Sequence, residues 1–542
     1  MTTLLLTSLL FTAMTGNESD TLSIDNGHVE LSVSRSSGRF SLDWGKASVR
    51  DAYGEASLPG ASTRKTTDYA QHLVEKQPVE DKFGKGVRVV VRHLDPGSPE
   101  LRHTFWVYER RPEAFVRLDL VGAEGTDRLV PIATDRPVRL QHSGPLQSLF
   151  VPYDNDNYFR YHSQWWGEGE GNADGSYEVG ALYDDASRLG LVVGSVDHDL
   201  WKSAVLFKRN GGIRATAGVT SKYTHDQEEH GTVLGKEVRS PRFVLGLYSD
   251  WRHGLERYGD LNAIVQPPLA WKGEVPFGWN SWSGHKAKVS NEAMLAALEF
   301  VHKDLPWLRS GDTAYINFDS FWDNLTREQR VAFTEKVHAA GLKAGIYWTP
   351  FVNWGEPDWN TSGGYKFRDL QLKNSKGELL PKLDSGWPLD PTHPGTLLRI
   401  EENIKDFIDQ GFDYIKLDFM THGALEGVHF NPRITTGTAA YRIGMHKVVD
   451  ELAKADRPIF ISLSIAPMFP HGYGHSRRIS CDVFSNIGAS EYFLNSLNYG
   501  WWTGGRLYQY NDPDSACVYQ ALGEDSTTEA EARTRFTASV IG

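Results

Sequence analysis

Lys416 and Asp418 stand two positions apart in Tyr414-Ile415-Lys416-Leu417-Asp418-Phe419. In an extended chain this spacing puts Tyr414, Lys416 and Asp418 on one face and Ile415, Leu417 and Phe419 on the other. A buried ammonium beside a buried carboxylate is costly unless each has a partner or a substrate. The pair suits a nucleophile at a strand tip, or an ion pair bracing two strands. Further carboxylates follow short apolar runs: Asp319 after Tyr315-Ile316-Asn317-Phe318, Asp482 after Arg478-Ile479-Ser480-Cys481, and Asp514 in Asn511-Asp512-Pro513-Asp514. Trp282 and Trp348 stand at comparable places. There is no His/Cys cluster at metal-ligand spacing, no Gly-rich phosphate loop and no serine elbow, so no metal or organic cofactor is implied. Two carboxylates from different strands, with indole faces to pack on a pyranose, are the parts needed to cleave a glycosidic bond. Each Trp also has a plainer reading as core, and Asn511–Asp514 as a turn.

These residues need a scaffold that brings strand tips together. From Phe277 onward the sequence alternates strand, loop and helix. Strands are expected at Phe277–Trp282, Ala314–Asp319, Ala344–Pro350, Tyr414–Phe419, Ile459–Ser464, Ile479–Phe484 and Leu507–Tyr510. Helices are expected at Asn291–His302, Arg327–Ala340 and Leu397–Gln410, with Gly341 and Gly411 as C-terminal caps. Repeated βα units predict a parallel sheet of the (β/α)8 TIM-barrel type, whose active groups sit at the C-terminal strand tips. The pattern yields seven strands; after a helix near Thr528–Ala538 the eighth is missing, so the barrel is read as incomplete at its C-terminal end.

The earlier half reads differently. From about Leu22 to Tyr248, period-two runs such as Val87–Arg92 and Phe115–Leu120 are separated by Gly, Asp, Asn and Pro clusters. This predicts an antiparallel β-sandwich. The chain is therefore multidomain: residues 1–20 a signal peptide or disordered N-terminus, 21–250 the sandwich, 251–272 a helical linker, and 273–542 the barrel. Residues 4–11 form an apolar run without a basic segment ahead of it, so secretion or a periplasmic location is expected, otherwise a cytoplasmic one. No later stretch is long enough for a membrane span. The formal net charge is −12 with no basic stripe, which argues against nucleic acid. A carbohydrate is the expected partner. Cys481 and Cys517 read as two buried thiols. The loop from Val151 to Arg160 mixes aromatic, amide and carboxylate groups and is a candidate binding loop, with Asp156 within it.

Pro276-Phe277-Gly278-Trp279-Asn280-Ser281-Trp282, Tyr315–Asp319, Lys416-Leu417-Asp418, Arg478–Asp482 and Asn511–Asp514 occur in an order that resembles the melibiase-type α-galactosidases and α-N-acetylgalactosaminidases of glycoside hydrolase families 27 and 36. The resemblance spans about Val275 to Asp514. It implies a retaining exo-hydrolase removing terminal α-galactose. Asp418 would be the nucleophile and Asp482 the acid/base. Lys416 would donate to sugar hydroxyls, Asp319 would accept from those at C4 and C6, Trp282 would pack on the sugar face, and Arg478 would hold Asp482 and the 2-substituent side. Trp348 is a further candidate for the sugar site.

Two departures bear on specificity. Ser320 replaces a second Asp usual after the second strand, and a neutral hydroxyl grips less firmly than a carboxylate. Asp323 or Asp156 could compensate. Ser464 falls where small residues admit a 2-acetamido group. α-N-Acetylgalactosaminidase and β-L-arabinopyranosidase activities therefore stay open, as do transglycosylation, a degenerate sugar-binding protein, and an amine nucleophile at Lys416. Asp514 and His393 are read as loop-holding residues.

Overall fold

The computed structural model describes residues 19–58, 63–155, 157, 159–165, 175–208 and 212–541. The apolar run at residues 4–11 and Asp156 lie outside the described residues.

Among the described residues, two ten-stranded, antiparallel sheets make up most of the N-terminal half. One is built around the long strand Ala47–Ala56, with Phe40–Asp43 and Leu129–Ala133 beside it. The other carries Gly84–Leu94, Glu100–Tyr108, Glu113–Val121 and Phe243–Tyr248 as consecutive neighbours. Alternation decides what faces inward. Val89 pairs with Phe105, and Phe105 with Val116, so their side chains share one face. That face packs on Val33, Leu42, Val49 and Ala52 of the first sheet, forming a dry core. Each such side chain contributes roughly 1.5–3 kcal/mol on burial.

The helix Trp251–Val265 joins the halves. Asp250 caps it by accepting from the Arg252 amide. Trp251 stacks on Tyr183 of the sheets at 4.3 Å, and Tyr258 meets Trp502 edge-on at 5.5 Å. Core packing is continuous from Phe115 and Val192 through Leu255 and Leu261 to Ile316, Ile346 and Ile415.

The C-terminal half holds one parallel sheet of seven strands in sequence order: Gly278–Asn280, Tyr315–Asn317, Lys343–Trp348, Tyr414–Leu417, Phe460–Leu463, Ser476–Arg478 and Tyr510–Asp512. Ile346, Ile415, Leu417, Ile461 and Leu463 form its outer face, buried with Ile400, Ile404, Phe407, Met445 and Val448 of the covering helices. The other face carries Asn317, Tyr347, Lys416 and Ser462. Gly345 is needed there, because a Cβ would stand 1.8 Å from Asn317 Oδ1. Gly341 and Gly411 end their helices at φ of 71° and 93°, as left-handed caps.

Two expectations are corrected. The sixth strand is Ser476–Arg478, not Ile479–Phe484. The alternation of Ile479, Cys481 and Val483 imitates a strand, but Ile479 is buried instead against Phe493 and Ala538 of two flanking helices. The true strand is polar and lacks the apolar alternation that marks a strand in sequence; Arg477 is buried and donates twice to the Ala466 carbonyl. The seventh strand lies at Tyr510–Asp512, beyond Leu507–Tyr510. In keeping with the incomplete barrel expected from the sequence, the sheet is open, with Gly278–Asn280 and Tyr510–Asp512 as its edges, so the described residues form a curled part-barrel and not a closed ring. Among the described residues, no helix is long and apolar enough to cross a membrane.

Candidate active site

Lys416 stands at the centre of the polar face. Its Nζ lies 2.9 Å from Asp319 Oδ2, across from the second strand. Asn280, from the first strand, donates to the same oxygen at 3.0 Å, and Ser281 Oγ accepts from the Asp319 amide. Burial pushes the Asp319 carboxyl up, but the Lys416 ammonium and these hydrogen bonds outweigh it and hold the carboxyl below its usual range. For Lys416, burial disfavours the charge, while Asp319 and Asp418 more than restore it, so the ammonium is held.

Arg478 is the second cation. Its side chain is 1% exposed. Nη1 donates to Asp482 Oδ1 at 2.9 Å and lies 3.6 Å from Asp514 Oδ1. Its Nε and Nη2 are buried with no hydrogen-bond partner among the described residues. Asp418 follows the fourth strand and is buried; its Oδ1 accepts from the Phe419 amide. Burial raises the Asp418 carboxyl, Arg478 and Lys416 pull it back, and Asp482 raises it again; the net shift is upward. Burial likewise pushes Asp514 up to about 6 against the pull of Arg478 and Lys416. Tyr347 stands on the same polar face as Lys416, and burial first, then the Asp418, Asp319 and Asp482 carboxylates, push its hydroxyl well up.

Trp282 sits on the short helix after the first strand, half-buried and parallel to Phe321 at 6.4 Å. Ser320 follows Asp319 and gives its amide to Asp319 Oδ1. Ser464 is fully buried, and its hydroxyl has no hydrogen-bond partner among the described residues. Asp514 accepts from the Val483 amide, so it does hold the loop carrying Asp482. His393 caps the helix Pro394–Asp409 through the Gly395 amide. Cys481 and Cys517 are both buried.

Trp348 is not brought to this polar face. It stands on the outer face, edge-on to Phe407 at 6.0 Å and beneath the Arg399 guanidinium. Alternation along Lys343–Trp348 gives the inner position to Tyr347 instead, whose ring lies 5.4 Å from Lys416 Nζ. Tyr347 stands beside Trp348 at the tip of the third strand and is equally legible in the sequence, while Asn280 lies in the Pro276–Trp282 motif with no role read for it. The period-two rule applied to the third strand selects Tyr347 over Trp348 for the inner face. Exposed Asp323 lies on the turn Trp322–Asn324. Among the described residues, no group of His, Cys, Asp and Glu could hold a metal ion.

No family model matches the chain, and no curated protein matches it in sequence. The fold, however, is found in solved α-galactosidases. A variant of the GH36 α-galactosidase AgaA from Geobacillus stearothermophilus, in complex with raffinose, is 14% identical, with a TM-score of 0.62 over 96% of this chain and 82% of that one. The α-galactosidase TtGalA from Thermus thermophilus, in complex with p-nitrophenyl α-D-galactopyranoside, is 15% identical, with a TM-score of 0.54 over 86% and 89%. The α-galactosidase from Lactobacillus brevis is 12% identical, with a TM-score of 0.59 over 96% and 79%. This chain is therefore similar in fold, across nearly its whole length, to α-galactosidases of the GH36 type.

Proposed function

We propose that this protein is a retaining exo-glycoside hydrolase that removes terminal α-linked galactose by double displacement. The observation that carries the reading is the arrangement about Arg478: Asp482 at 2.9 Å, Asp514 at 3.6 Å, the Asp418 carboxylate in the same field, and two buried guanidinium donors with no hydrogen-bond partner. Sugar oxygens are acceptors of the kind those donors require.

In this reading Asp418 attacks the anomeric carbon and forms a glycosyl ester while Asp482 gives its proton to the leaving oxygen. Water then displaces the ester, and Asp482 takes a proton from it. Asp482 is 40% exposed, which suits a group facing the departing aglycone and incoming water. Retention requires the two carboxyls to close to about 5–5.5 Å around the sugar. Lys416, Asp319 and Asn280 form a pre-bonded cluster that receives hydroxyls without reorganising. Trp282 supplies an apolar face. The held charge on Lys416 disfavours the amine-nucleophile alternative, which needs the neutral amine.

The test is a panel of nitrophenyl glycosides: the α-galactoside, the α-N-acetylgalactosaminide, the α-glucoside and the β-L-arabinopyranoside. Turnover of the galactoside, abolished by Asp418→Asn in a folded variant, is expected. An Asp418→Asn enzyme that still turns over at the full rate overturns the assignment. Preference for the N-acetylgalactosaminide would redirect it to the acetamido sugar, for which the small Ser464 leaves room.

A further inference from the structure

Among the contacts between the N-terminal sheets and the barrel half, one set is made by the tripeptide Tyr153-Asp154-Asn155. Its root is fixed: the Ser176 hydroxyl accepts from the Val151 amide at 2.8 Å, and the Tyr177 amide donates to the Val151 carbonyl at 3.0 Å. All three residues are buried, at 3%, 0% and 2% exposure. Each then bonds a different loop of the parallel sheet. The Tyr153 carbonyl accepts from the Met468 amide at 2.9 Å, beyond the fifth strand. Asp154 Oδ2 accepts from the Thr421 hydroxyl at 2.6 Å, in the turn that follows Asp418. Asn155 Nδ2 donates to the Ile479 carbonyl at 2.8 Å, in the segment leading to Asp482.

Thr421 and Ile479 bracket the two carboxylates in the same way, since Asp418 lies three positions before Thr421 and Asp482 three positions after Ile479. Neighbouring side chains stiffen both contacts. His225 Nε2 stands 3.2 Å from Asp154 Oδ1, and the Tyr492 hydroxyl donates to the Asn155 and Phe159 carbonyls. On the barrel side, the Thr421 amide donates to the Ile465 carbonyl and the Ile479 amide to the Asp512 carbonyl. Each strand tip is thus held from the sheet beneath and from the tripeptide beside it. We infer that Asp154 and Asn155 are positioning residues that set the separation of Asp418 and Asp482, making the N-terminal half part of the catalytic machinery. The inference rests on the proposed hydrolase reading.

Misplacing a reacting group by an ångström costs up to about 100-fold in rate. The test uses the full chain with Asn155→Ala, Thr421→Val and Thr421→Ser. On nitrophenyl α-galactoside, Asn155→Ala and Thr421→Val are expected to lower kcat by roughly 10- to 100-fold with KM changed by less than about threefold, while Thr421→Ser stays near wild type. Hydrogen exchange read by mass spectrometry should quicken in peptides spanning 418–421 and 479–482 and stay unchanged in the rest of the parallel sheet. Wild-type kcat in both disruptive variants, an equal loss in Thr421→Ser, or exchange that is unaltered or faster throughout the sheet overturns the inference. If the wild-type protein turns over no glycoside of the panel, the hydrolase reading fails separately, and hydrogen exchange alone decides whether the tripeptide fixes the two tips.

Discussion

Lys416 Nζ and Asp319 Oδ2 lie 2.9 Å apart, with side chains 12% and 4% exposed. The pair crosses from the fourth strand to the second, passing over the third, and so ties the sheet on its polar face. Removing one partner of a buried pair leaves the other charge uncompensated, at a cost of about 3–5 kcal/mol. Asp319→Asn should therefore lower stability by about 3 kcal/mol in urea denaturation. A loss below about 1 kcal/mol would mean the pair behaves as a surface bridge. Asp319 is held below its ordinary value, so its contribution is present above pH 3.8 and fades as the pH falls through the depressed value. The difference between wild type and variant should be flat from about pH 5 to 9.

Asp482→Asn removes the proposed proton donor. The loss should be largest with poor leaving groups, about 100-fold or more with raffinose, and smaller with a nitrophenolate, which departs without a proton. Equal losses on both substrates would assign the acid role elsewhere.

Asp514 carries a raised carboxyl, at about 6 against 3.8. A raised acid binds its proton more tightly in the folded state, so wild type loses stability as the pH climbs from about 4 to about 6. Asp514→Asn lacks that dependence and should gain on wild type by up to about 3 kcal/mol across the same window. Parallel stability curves for the two proteins would refute the upward shift.

Trp348→Ala opens the layer between the sheet and the helix Pro394–Asp409, at a cost of about 3–5 kcal/mol. Trp348→Phe should stay folded and leave KM for nitrophenyl α-galactoside within about twofold, because the ring does not face the substrate. A KM raised more than about tenfold would return Trp348 to the sugar site.

Much of the scaffold was legible because burial imposes periodicity. Phe115–Leu120 and Val87–Arg92 alternate, and both lie in strands. Gly341 and Gly411 mark helix ends because left-handed backbone suits glycine. The sixth strand escaped because Ser476, Arg477 and Arg478 are polar, and their burial depends on hydrogen bonds to distant carbonyls and carboxylates. Trp348 was misjudged for the opposite reason. A strand tip offers two faces, and only the phase of Ile346 and Tyr347 tells which one meets the helices. The convergence on Lys416 and Arg478 follows from sheet register, which pairs Tyr347 with Lys416 and Lys416 with Ser462 but leaves no mark in local sequence.

On the proposed hydrolase reading, the clustered groups have an electrostatic consequence for which sugars can enter. With Asp482 carrying the proton of the proposed acid, Asp319, Asp418 and Asp514 still outnumber Lys416 and Arg478 at neutral pH, so the cluster keeps a formal surplus of negative charge. That surplus favours a glycosyl centre acquiring positive character as its bond breaks. It also repels anions. Uronic acids, sialylated termini and sulfated galactose would have to approach against this potential, and neutral hexoses would not.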